Sequence, residues 1–127
     1  MMRVPVLGVL LSAMIGSAAL AIGAYDRVPE AVVTGEPRSC IPIASLRQSH
    51  VRDDRTIDFM TGNRKGYRNV LPNACPGLGA ERRFSYATSL SQLCSTDIIT
   101  VFYQTGAPRG ASCGLGQFQP VTFPKKR

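Results

Sequence analysis

Short runs of alternating apolar and polar residues, separated by turn-forming clusters, dominate the chain. Over residues 55–60, Ile57 and Phe59 fall on one face and Thr56 and Asp58 on the other. This is the period-two pattern of a half-buried strand. Residues 61–66 supply a turn in which Gly62 and Asn63 can take positive φ, with Arg64 and Lys65 at its tip. Residues 67–71 return as the partner strand until Pro72 and the Cys75-Pro76-Gly77 cluster stop it. This hairpin, within residues 51–78, is the unit around which the other strands are expected to pack. Residues 97–103 are β-branched and apolar on both faces, with Ile99, Val101 and Tyr103 on one side and Ile98, Thr100 and Phe102 on the other. That composition predicts the central strand. Shorter strands are expected over 41–46, where Pro42 demands an edge or a strand start, over 84–88, and over 118–123, broken by Pro120. Residues 88–94 predict one helical turn, with Leu90 and Leu93 facing inward and Ser89 or Ser91 as cap. Five or six short strands with turns between them predict an all-β domain, a small antiparallel barrel or sandwich.

The first residues change the picture from fold to compartment. Arg3 precedes an uncharged run over residues 4–24, which ends in Ala19-Leu20-Ala21 and Ile22-Gly23-Ala24. A positive start, an apolar stretch and small residues at its end predict an export signal cleaved near 21 or 24. The alternative is a retained anchor, but Pro5, Gly8, Gly16 and Gly23 dilute the apolar character that a membrane span needs. Cleavage would remove one charge, Arg3, from the formal net of +7 and leave 7 − 1 = +6. Residues 25–39 carry Pro29, Glu30, Gly35, Glu36 and Pro37 without an apolar period and predict an extended lead-in. The folded part is then expected over 40–123, followed by the basic tail 124–127.

Four cysteines, at 40, 75, 94 and 113, stand far apart. Zinc sites usually draw two ligands from one turn, as in Cys-x-x-Cys, and no such pair is present, so no metal is expected. In an exported chain this pattern predicts two disulfides, which matter at this size because a small core leaves little margin over chain entropy. Three pairings are open. The preferred one joins Cys75 to Cys94, tying the hairpin exit to the strand near Ile98, and Cys40 to Cys113, tying the first strand to the last.

Cys40, the Val51-Arg52-Asp53-Asp54-Arg55-Thr56-Ile57 run, Tyr67-Arg68-Asn69, Leu71, Cys75-Pro76-Gly77-Leu78, Phe84, Leu93-Cys94-Ser95 and Asp97-Ile98-Ile99 together resemble a family of small exported proteins of Gram-negative bacteria known as a domain of unknown function. The resemblance implies export and the cysteine framework. It implies no activity, cofactor or catalytic residue.

Candidate chemistry is sparse. The single histidine, His50, lies beside Ser49 and three residues before Asp53, too close in sequence for a triad whose members approach from different elements. Asp53 and Asp54, flanked by Arg52 and Arg55, fit local pairing or a turn cap, and the distal Glu of a calcium loop is missing. The glycines over 106–116 lack the Lys-Ser/Thr ending and the helix of a phosphate loop, so a disulfide-anchored loop around Cys113 is expected. The basic residues remain. Arg64, Lys65 and Arg68 would share one end of the hairpin, and Arg82 and Arg83 open the next strand. Such a patch attracts phosphate, anionic glycan, lipopolysaccharide or an acidic protein, although its simpler role is to keep a strand edge charged against aggregation. Nucleic acid is not expected as a partner, because export separates the chain from it and no stacking aromatics accompany the charges. The expected function is a non-enzymatic, periplasmic or secreted domain, without cofactor, that binds or supports an envelope component. Two alternatives stand beside it: a small enzyme built on Asp58, Tyr67 and Arg68, and an inhibitor acting through the 106–116 loop.

Overall fold

The computed structural model describes residues 28–88, 90–104 and 109–125. The export signal expected over 1–24, part of the 106–116 loop, the proposed cap Ser89 and the end of the basic tail lie outside them. The chain folds into short strands: β1 (Val32–Val33), β2 (Cys40–Pro42), β3 (Gln48–Val51), β4 (Thr56–Met60), β5 (Lys65–Val70), β6 (Phe84–Tyr86), β7 (Gln92–Cys94), β8 (Ile98–Val101), β9 (Ser112–Gly114) and β10 (Phe118–Thr122). They form a five-stranded sheet ordered β1-β10-β5-β4-β3, a two-stranded sheet β2-β7 and a three-stranded sheet β6-β8-β9. All pairings are antiparallel, and among the described residues no sheet closes into a barrel.

One core joins the three sheets. Ile57, Phe59 and Phe118 come from the large sheet, Ile41 and Leu93 from the two-stranded one, and Ile99 and Val101 from the three-stranded one. Phe59 is the hub, meeting Phe118 edge-on at 5.6 Å and Phe84 at 6.1 Å between ring centroids. Each such buried side chain contributes roughly 1.5–3 kcal/mol. Asn69 is one of the buried polar residues: its Oδ1 accepts from the Gly116 N–H at 2.8 Å and its Nδ2 donates to the Gly116 carbonyl at 2.7 Å. Gly116 is required there, because a Cβ would overlap the Val70 carbonyl oxygen.

The hairpin forms as expected, β4 against β5 with Ile57 opposite Asn69 and Phe59 opposite Tyr67. Its turn differs in detail. Thr61 and Gly62 both donate to the Lys65 carbonyl, and neither Gly62 nor Asn63 takes positive φ. Gly66 instead permits close strand approach, since a Cβ there would overlap the Phe59 carbonyl.

Several other expectations are corrected. The predicted lead-in is part of the sheet: Val32 pairs with Thr122 and Val33 with Val121, and Arg38 and Phe118 exchange backbone hydrogen bonds of 2.8 Å. A two-residue strand has no period to detect, yet it covers the open edge of β10. Residues 41–46 hold only the end of β2 before a 3₁₀ turn over Ile43–Ser45. Among the described residues of 88–94 no helical turn forms: the Thr88 hydroxyl bonds to the Leu90 N–H and the Gln92 carbonyl, and the chain then extends as β7 along β2. A single-turn helix, α1 (Leu78–Glu81), forms instead, entered through Gly77 at φ 84° and left through Arg82 at φ 57°. The strand over 98–101 is central only to its own small sheet, with Ile99 and Val101 buried but Ile98 58% and Phe102 39% exposed.

The cysteines pair as Cys40 with Cys94 and Cys75 with Cys113, not as Cys75 with Cys94 and Cys40 with Cys113. The reason is the turn at Ser95–Thr96. Asp97 donates its N–H to the Cys94 carbonyl, and its carboxylate accepts from the Cys94 N–H. The chain reverses there, so Cys94 belongs to β7 as the register partner of Cys40 rather than to the approach of β8. Cys113, opposite Ile99 in β9, faces the hairpin exit at Cys75. Closing loops of 54 and 38 residues stabilises by about 4 kcal/mol each on the chain-entropy estimate. Two disulfides fit an oxidising compartment. Among the described residues no helix is long and apolar enough to cross a membrane.

Candidate functional site

The outer face of the five-stranded sheet, turned away from the core, carries the concentrated chemistry. Register places His50 of β3, Asp58 of β4 and Arg68 of β5 side by side. Arg52 follows two residues after His50 and so shares its side. The alternation that assigns Asp58 to a solvent face is correct about the face but not about its exposure: Asp58 is fully buried. Arg52 Nε donates to Asp58 Oδ2 at 2.7 Å, Arg68 Nε to Oδ1 at 2.8 Å, and Arg68 Nη2 to Oδ2 at 3.0 Å. A buried carboxylate is tolerable only when its lone pairs are engaged in this way.

Two distant segments cover the cluster. Pro29 accepts from Arg68 Nη2 at 2.8 Å, and the ring of Phe123 lies 5.8 Å from the Arg52 guanidinium and 5.6 Å from that of Arg68. Phe123 reaches this position because its N–H donates to the Arg64 carbonyl at 2.7 Å, fastening the end of β10 to the hairpin tip. One carboxylate against two guanidiniums leaves the cluster with a formal charge of −1 + 2 = +1.

Beside Phe123 opens a cleft of about 600 Å³. Its charged walls are Arg52, Arg64 and Lys125 against Glu30, with His50 alongside, and its apolar walls include Pro29, Met60 and Pro124. A neighbouring cleft of about 660 Å³ shares Asn63, Arg64, Phe123 and Pro124 and adds Val32 and Lys65.

Of the residues singled out in the sequence, Arg64 and Lys65 do stand together at the hairpin tip, both exposed. Arg68 is corrected: it lies within β5, held by Asp58 and Pro29, and is a structural cation rather than part of the tip. Asp58 and Arg68 meet, but Tyr67 projects from the other face and packs against the core. With both oxygens of Asp58 taken, these three residues do not assemble an acid–base set. Ser49 and His50 lie on opposite faces of β3, while Asp53 Oδ1 accepts from the Arg55 N–H and Asp54 Oδ1 from the Gly79 N–H. Both carboxylates are therefore turn and loop fasteners. Among the described residues no three His, Cys, Asp or Glu side chains gather as a metal site. The 106–116 region contributes β9 and a Gly110 N–H donated to the Val101 carbonyl at 2.7 Å.

Sequence reasoning missed Arg52, Phe123 and Lys125 as members of one site. Their one shared signal is side: Arg52 keeps the parity of His50, and Phe123 follows the last residue of β10. Comparison of the chain with protein-family models, with curated proteins and with solved structures finds no match in any of the three.

Proposed function

We propose that this chain is a non-enzymatic exported β-domain, periplasmic or secreted, that binds an anionic component of the cell envelope through the cleft beside Phe123. Membership of the small exported four-cysteine family suggested by the sequence motifs is part of the same reading. The observation that carries it is the wall of that cleft, where three cations, Arg52, Arg64 and Lys125, meet one carboxylate, Glu30. Like charges gathered at a concave surface raise the local concentration of anions, and the attraction weakens as salt screens it.

Arg64 and Lys65 are exposed and Arg64 holds Phe123 only through its backbone carbonyl, so replacing both with alanine leaves the fold intact. With lipopolysaccharide immobilised on a sensor surface, Arg64→Ala combined with Lys65→Ala should weaken binding and flatten its dependence on salt. Retention equal to that of the unaltered protein across a salt series would sink the proposal.

A further inference from the structure

We infer that the cleft beside Phe123 takes a phosphate monoester carried on an apolar chain, an anionic amphiphile rather than a bare oxyanion or a neutral apolar molecule. This rests on the reading of the cleft as an anion site and adds the other half of the ligand.

Size comes first. A cleft of about 600 Å³ falls in the range that encloses whole small organic molecules, roughly 300–1,000 Å³. An inorganic ion would leave most of it unfilled. The walls then say what fills the remainder. Pro29, Phe123 and Pro124 supply the apolar part of the wall, backed by Met60, which is almost completely buried. That side does not stop at Phe123: the adjoining cleft continues from the same ring and Pro124 to Val32, which is 56% exposed. A chain too long for the first cleft has apolar surface to follow.

The charged side is built for one headgroup. Arg52 spends only its Nε on Asp58, and among the described residues its terminal Nη atoms have no hydrogen-bond partner, whereas Arg68 engages both Nε and Nη2. Arg52 is thus a guanidinium oriented by a fully buried carboxylate and stacked against Phe123, so its outer nitrogens meet a ligand with little ordering left to do. Arg64 and Lys125 add two exposed cations. With the Asp58 cluster counted whole, Arg52, Arg68, Arg64 and Lys125 less Asp58 and Glu30 leave 4 − 2 = +2, the complement of a phosphate monoester, which carries about −1.5 to −2 at neutral pH.

Calorimetric titration of the disulfide-bonded protein with dodecyl phosphate, inorganic phosphate and dodecyl maltoside, each below its micelle concentration, separates the two halves of the ligand. Dodecyl phosphate should bind at least about tenfold tighter than inorganic phosphate, from burial of several methylenes. It should also bind at least about tenfold tighter than the neutral maltoside, from charge-assisted hydrogen bonds. Arg64→Ala with Lys125→Ala should lower affinity for dodecyl phosphate about tenfold and leave the melting temperature unchanged. Arg52→Lys, which keeps the charge but loses the fork, should weaken it as well. If inorganic phosphate binds as tightly as dodecyl phosphate, the amphiphile inference fails while the anion site survives. If dodecyl maltoside binds equally well, or none of the three binds, both readings fail. Vesicles of phosphatidylcholine containing phosphatidic acid distinguish the source of the phosphate. Binding to them without binding to monomeric dodecyl phosphate would indicate adsorption to a charged surface and overturn the inference.

Discussion

The outer faces of the five-stranded and three-stranded sheets begin from opposite sequence signals, and each ends against its own. On β4, Asp58 and Met60 occupy positions that alternation assigns to solvent, and both are buried. On β8, Ile98 and, just beyond its end, Phe102 belong to a stretch whose two apolar faces predict burial, and both remain exposed beside a concavity of about 510 Å³ shared with Asp97 and Arg109. No described segment crosses that second face, and Gly114, opposite Ile98, has nothing within 4 Å of where a Cβ would stand. The first face is covered because Pro29 before β1 and Phe123 after β10 fold back over it. Polarity along a strand therefore does not decide burial; what the flanking chain lays over it does.

Substitutions can break or sharpen that contrast. The largest effect is expected at Asp58, where alanine leaves two partly buried guanidiniums without their carboxylate and should cost about 3–5 kcal/mol of unfolding free energy in urea titration. A cost below that of an ordinary surface mutation would mean the face is effectively open to water. Phe123→Ala removes the half-buried cover and its stacking with two cations, and a loss of about 1–2 kcal/mol is expected by the same measurement. The smallest change belongs to the bare face: Ile98→Thr should move stability by no more than about 0.5 kcal/mol. A larger destabilisation at Ile98 would erase the distinction between the two faces.

The hairpin and the strand at 98–101 were legible in the sequence because alternation over four to six residues is a local property. Pairings that depend on where a turn reverses the chain were not. Cys94 sits four residues before Ile98, and proximity in sequence favoured placing it with β8; the Asp97 carboxylate, bonded back to the Cys94 N–H, sends it to β2 instead. Leu90 and Leu93 share helical spacing, yet only Leu93 is buried, against Ile41 and its neighbours in the core. The candidate site shows both limits. Arg64 and Lys65 could be placed at the tip from the turn residues alone, whereas Arg52, Asp58 and Phe123 come together only through sheet register and the backbone bond from Phe123 to Arg64. The parity of Arg68 was readable, but its buried partner was not, because a carboxylate at a nominally solvent position gives no sign of what covers it.

Pro29 and Lys125 stand on the rim of a single opening. A reporter attached directly beside Pro29 or Lys125 is therefore delivered to the mouth of the cleft. Labels placed at Ser112 or Ile98, both exposed on the three-stranded sheet, avoid that position.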